Sequence, residues 1–130
     1  MTSKQVLVMK KFPKLRTGKY VAQGSHASLG ALLSLNPVFS ADCKSLTIDC
    51  SNPFVYEWLC GKFTKIAVYV ETDDELTAIY NKAKEAGVAT AIITDSGLTE
   101  FNGVPTLTAV GIGPDDDEKI NLLTGHLPLL

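Results

Sequence analysis

Apolar residues fall in four short, nearly continuous runs, separated by stretches whose spacing is helical. Gln5 to Lys10 (QVLVMK), Lys65 to Val70 (KIAVYV), Val88 to Thr94 (VATAIIT) and Thr106 to Ile112 (TLTAVGI) read as strands. Runs of this length, rich in β-branched residues, suit strands covered on both faces. A first helix is expected over Lys19 to Leu35, opened by Gly18 and closed at Asn36-Pro37, where proline biases the preceding residue away from helical geometry. Asn52-Pro53 is a start signal for a short helix through Cys60, with Gly61 as its stop. A third helix has the clearest ends. Thr72 and Glu75 form a capping box, Asp73 and Asp74 sit at the positive end of the dipole, Lys82 and Lys84 lie near the other end, and Gly87 closes it. A last helix follows Gly113-Pro114, with Asp115, Asp116 and Asp117 in its first turn and Gly125 at its end.

The order strand, helix, helix, strand, helix, strand, strand, helix predicts an α/β fold. It is a single domain over 1–130 with a four-stranded mixed sheet and helices on both faces. The path from Val70 through the Thr72 helix to Val88 has the form of a right-handed parallel crossover. Asp95 to Pro105 joins the last two strands without helical periodicity, and a long irregular loop in a small domain is often functional. Leu35 to Pro53 is not readable by periodicity.

Composition narrows the function classes. No apolar run approaches the roughly 20 residues that span a bilayer, and the first residues do not form a secretory signal. Cys43, Cys50 and Cys60 are odd in number and form no C-x-x-C pair. That argues against a disulfide framework or zinc site and for buried thiols in a reducing, cytoplasmic setting. The net charge of -2 hides an asymmetry, because six of the twelve basic residues and none of the fourteen acidic ones precede Asp42. Those six are Lys4, Lys10, Lys11, Lys14, Arg16 and Lys19. A cationic end on an acidic chain suits a local anion site such as a nucleic-acid backbone, and it equally suits a solvated basic arm.

Four clusters could carry chemistry. Lys19, Gln23 and His26 recur at i, i+4, i+7 on one face of the first helix, while Val21, Leu29 and Leu32 occupy another that can pack on the sheet. Lys19 in the first turn faces the unfavourable end of the helix dipole, at a cost of about 0.3–1 kcal/mol. His26 alone reads as a half-buried structural histidine. Asp95-Ser96-Gly97-Leu98-Thr99 directly follows a strand, where α/β sheets place ligand sites, although Asp-Ser-Gly is also a common turn. Thr108 with Gly111-Ile112-Gly113-Pro114, and Thr124-Gly125-His126-Leu127, are weak signals singly. Gly18-Lys19 is not a P-loop, since Pro13 and Tyr20 break the pattern, and there is no nucleophile elbow or metal-ligand spacing.

Together the clusters resemble a known family. Gly18-Lys19-Tyr20-Val21-Ala22-Gln23-Gly24-Ser25-His26-Ala27 is similar to the G-K-x-x-A-Q-x-x-H-A signature of type-II peptidyl-tRNA hydrolases. Thr94 to Thr99 resembles that family's D-A-G-x-T loop. Thr108 to Pro114 and Thr124-Gly125-His126-Leu127 resemble its T-x-x-G-I-G-P and T-G-H-L ending. The resemblance implies hydrolysis of the ester between a peptide and the 3′ end of tRNA. It also implies no metal or organic cofactor, and commonly a homodimer. By position it puts Lys19, His26, Asp95 and Thr108 at the catalytic site, with Lys14, Arg16, Gln23, Ser96, Gly97 and Thr99 on the substrate. The chain departs from the pattern at Phe12, where the family carries an acidic residue, and at Leu98, where it carries an arginine; Arg16 or Lys14 would replace that anion contact. The departures leave two other readings open: a non-catalytic interaction or nucleic-acid-binding protein that kept the fold, and a hydrolase of a different ester or amide.

Overall fold

In the computed structural model, which describes residues 1–98 and 100–130, the central sheet is built from β1 (Ser3–Lys10), β4 (Lys65–Val70), β5 (Thr90–Asp95) and β6 (Thr106–Asp116), in the order β4-β1-β6-β5. β1 pairs in parallel with β4 and antiparallel with β6, and β6 pairs antiparallel with β5, so the sheet is mixed. Helices α1 (Thr17–Leu33), α2 (Pro53–Cys60), α3 (Asp73–Glu85) and α4 (Asp117–Thr124) cover it. The stretch that periodicity leaves unread holds a small separate ribbon, β2 (Val38–Phe39) paired with β3 (Leu46–Thr47).

Alternation along the strands sorts side chains to two faces. Val6, Val8, Val68, Val70, Val110 and Ile112 turn to one side, against Leu76, Ile79 and Ala83 of α3 and Ile120 of α4. Met9, Ala109, Leu7 and Ile93 turn to the other, against Ala27 and Tyr20 of α1. α1 lies unusually close to the sheet. A Cβ on Gly111 would stand 2.1 Å from the Ala27 carbonyl oxygen, so only glycine fits there. Gln5, fully buried, ties the layers together by donating to the carbonyls of Ser28 and Gly113 at 3.0 Å each.

Several boundaries follow their local chemistry. Asn52 caps α2 by accepting from Phe54 N, with Pro53 at the first turn. Thr72 caps α3 by accepting from Glu75 N. The last helix starts later than expected. Asp115 and Asp116 finish β6, and Asp116 accepts from Glu118 N as the cap of α4. The third predicted strand begins at Thr90 instead of Val88, and α1 ends at Leu33, two residues short of Leu35. The α3 crossover does join parallel strands, but β4 and β5 are opposite edges with β1 and β6 between them.

Two further expectations are corrected, and one of two open readings of the basic end is set aside. The buried face of α1 is Gln23, Gly24, Ala27 and Ala31, while Val21 and Leu29 are exposed. Close approach selects small residues, and the large apolar ones turn outward. The three cysteines are all exposed and unpaired, since none lies on a core-facing position. The basic end is no free arm. Lys4 and Lys10 belong to β1, and Lys10, Arg16 and Lys19 are ion-paired with Asp73, Glu100 and Asp95.

Candidate active site

The first turns of α1, the end of β5 and a bulge in β6 converge on one point. Ala91 and Ile93 of β5 lie under Gly30 of α1, and the same alternation turns Asp95 to that face. Thr108 reaches it differently. Ile93 pairs with Ala109 but Thr94 pairs with Leu107, so Thr108 is an extra residue in β6. Strict alternation would send Thr108 to the α3 side with Val110 and Ile112. The bulge turns it to α1 instead, a recurrent way of re-aiming a side chain near a site.

There the side chains form one hydrogen-bonded chain. Lys19 Nζ donates to Asp95 Oδ1 at 3.0 Å, and Gln23 Nε2 donates to the same oxygen at 3.1 Å. The Thr108 hydroxyl donates to Gln23 Oε1 at 2.7 Å. Asp95 Oδ2 accepts from Gly97 N at 2.9 Å, closing an Asx turn. The turn reading and the site reading of Asp-Ser-Gly therefore both hold, one carboxylate oxygen serving each. Gly97 has φ +82, and a Cβ there would lie 2.2 Å from the Val104 carbonyl oxygen, so the turn depends on glycine.

Burial is graded along the chain. Gln23 and Thr108 are each 2% exposed. The side chains of Lys19 and Asp95 keep 14% and 12% of their surface open. The Lys19 hydrogen bond, helped by the Gly97 amide and opposed by burial, holds the Asp95 carboxyl below the usual carboxylate range. A carboxylate so stabilised is a weak base, and it is a firm anchor for an ammonium. Asp95 also offsets the repulsion between Lys19 and the positive end of α1.

The remaining predicted residues are spread around this core. His26 is exposed on α1, and its side chain makes no hydrogen bond to a described residue. It stands two turns beyond Lys19, roughly 10 Å along the axis. Lys14 is exposed, and Arg16, at the N-cap of α1, pairs with Glu100. Ser96 is exposed, Gly97 is buried in the turn, and Thr99 lies outside the described residues. Sequence reasoning did not single out Tyr20, whose hydroxyl accepts from Phe12 N at 2.9 Å, nor Phe101, whose ring centroid lies 4.9 Å from that of Phe12. An aromatic residue inside the polar loop 95–105 was the available signal for Phe101.

The family model for peptidyl-tRNA hydrolase PTH2 matches residues 3–130. The chain belongs to this family. A protein of Methanocaldococcus jannaschii named peptidyl-tRNA hydrolase is 43% identical over 128 residues, 98% of this chain and 99% of that one. One of the same name from Methanothermobacter thermautotrophicus is 37% identical over 127 residues, again 98% of this chain and 99% of its own. A probable peptidyl-tRNA hydrolase 2 of Dictyostelium discoideum is 32% identical over 97% of this chain and 54% of its own length. The family match spans α1, the Asp95 turn and the Thr108 bulge, so the whole hydrogen-bonded chain lies inside it. No group of His, Cys, Asp or Glu among the described residues is arranged to hold a metal ion, and no described helix is long and apolar enough to cross a membrane.

Proposed function

We propose that this chain hydrolyses the ester joining a peptide to the 3′ end of tRNA in the cytoplasm, returning tRNA to translation. The observation that supports this best is the Lys19–Asp95–Gln23–Thr108 chain, formed by residues at the positions that resemble the family signature. Attack of water on the ester carbonyl develops negative charge on its oxygen. A preorganised cation in a partly dry site is the group that stabilises that charge. Lys19 is that cation. Asp95 fixes its ammonium without taking its proton. Gln23 fixes Asp95, and Thr108, whose hydroxyl proton is used on Gln23, fixes Gln23. His26, two turns farther along α1, meets the nucleotide end of the substrate, not the reacting carbonyl. Lys14 and Arg16, both exposed, serve backbone phosphates in this reading, and Ser96 and Gly97 serve the peptide.

The protein works as a homodimer in this reading. The exposed Val21 and Leu29 of α1 border an apolar groove of about 680 Å³, which continues over Leu7, Ala67 and Phe63. Contiguous exposed apolar surface marks interaction sites, and one patch that pairs with itself gives a two-fold dimer.

The test is release of a labelled N-acetyl-aminoacyl group from tRNA by the purified protein. Catalytic release supports the reading. A folded protein that binds the substrate and releases nothing would move the assignment to an interaction protein that kept the fold.

A further inference from the structure

Two loops meet beside Lys19. The segment after β1 carries Phe12, and the loop after β5 carries Phe101. Their rings lie 4.9 Å apart, tilted by 39°. Three contacts hold this seam in place: Phe12 N donates to Tyr20 Oη, Arg16 pairs with Glu100, and Lys10 Nζ sits 5.0 Å from the Phe12 centroid. Lys19 Nζ lies 5.8 Å from the Phe101 centroid, so the aromatic pair borders the ammonium assigned to the oxyanion. Neither ring is fully buried.

We propose that Phe12 and Phe101 form the stacking platform for the terminal nucleobase of the substrate tRNA. This rests on the peptidyl-tRNA reading above. The scissile ester is carried on the ribose of the last nucleotide, so when the carbonyl is at Lys19 the base lies one sugar away. The aromatic seam, bordering Lys19, offers a flat surface at that remove. Chemistry favours a base over a peptide side chain at this place. The last nucleotide is the same in every tRNA, whereas the peptide varies, and a fixed flat wall suits the invariant partner. The cations of the same segment point the same way. Lys11, Lys14 and Arg16 are exposed around Phe12, where the phosphate preceding the terminal sugar has to run. Aromatic faces flanked by cations are the usual means of holding single-stranded nucleotides.

The experiment compares two ester substrates, one on tRNA and the other on a ribose without a base, each prepared with the same set of several N-acetyl-aminoacyl groups. Phe12→Leu and Phe101→Leu keep an apolar contact at the seam and remove the π-face, while Phe12→Tyr keeps both. The expected result is a loss of about tenfold or more in kcat/KM on tRNA for each leucine variant, in the range of one base–aromatic stack. Activity on the baseless ester stays unchanged, and Phe12→Tyr stays near wild type. Equal losses on both substrates would show that the rings only brace Lys19. A loss that tracks the identity of the amino acid would assign them to the peptide, and no loss would leave them outside recognition; each of these overturns the proposal. Wild-type protein inactive on both substrates would instead overturn the hydrolase reading beneath it.

Discussion

The Thr108 hydroxyl donates to Gln23 Oε1 at 2.7 Å across the interface between β6 and α1, with both residues almost wholly buried. That bond decides which way the Gln23 amide faces. With its oxygen taken by a donor, its nitrogen must point to Asp95, the acceptor 3.1 Å away. Replacing Gln23 with leucine removes both bonds and leaves the buried Thr108 hydroxyl only the long contact to the Ile93 carbonyl, at 3.5 Å. An unsatisfied buried polar group costs about 1–3 kcal/mol. Gln23→Leu should therefore lower the urea midpoint, and kcat should fall because Asp95 loses a restraint. The double variant Gln23→Leu with Thr108→Val should regain part of the stability and none of the activity.

Gly97 is the hinge of the Asp95 turn. Alanine there meets the Val104 carbonyl and is held at a positive φ. The strain should cost about 1–3 kcal/mol, seen as a lower melting temperature. If Gly97→Ala melts like wild type with full kcat, the turn does not position Asp95.

Asp95 gives a pH prediction whose sign is fixed. Its carboxyl in the folded protein lies below the usual carboxylate range, chiefly through the Lys19 hydrogen bond. The pair therefore stabilises the fold at pH above the unfolded aspartate value and loses that contribution as pH falls through the lowered folded value. The rate of ester hydrolysis should show no acid limb from Asp95 in the ordinary carboxylate range. Asp95→Asn retains an acceptor for the Gly97 amide, removes the charge opposite Lys19, and should cut kcat at neutral pH while changing the melting temperature little in acid. An acid limb within the usual carboxylate range that vanishes in Asp95→Asn would contradict this assignment.

The groove on α1 predicts an assembly state. Val21→Asp combined with Leu29→Asp places charges on its outer edge, away from the site, and should shift the mass measured by light scattering from dimer to monomer. A wild-type monomer at micromolar concentration would remove the dimer from the account.

Much of the fold was legible because short apolar runs and capped helices are local signals. Asn52-Pro53, Thr72 and Glu75 mark helix starts that the structure keeps. The identities of Lys19, Gln23, Asp95 and Thr108 were legible as motifs. The way Thr108 joins them was not, because it depends on a bulge that periodicity treats as an ordinary strand position. The packing of α1 was misread for a related reason. Val21, Leu29 and Leu32 look like a core stripe, but Gly111 lets the helix approach so closely that Gly24, Ala27 and Ala31 face the sheet instead. Which face is buried is set by the surface opposite, and a helix's own pattern does not contain it. The last helix was placed too early because Asp115, buried at 3% exposure, still belongs to the strand.

The most direct test of the central claim is the single-turnover rate of N-acetyl-aminoacyl-tRNA hydrolysis by Lys19→Ala beside wild type and His26→Ala. The account predicts that Lys19→Ala loses about a hundredfold to a thousandfold, the scale of removing one oxyanion donor, with tRNA affinity largely kept. His26→Ala should lose less in rate and more in affinity. A Lys19→Ala protein that hydrolyses at the wild-type rate would contradict the account, since no other described residue is placed to do what Lys19 does beside Asp95.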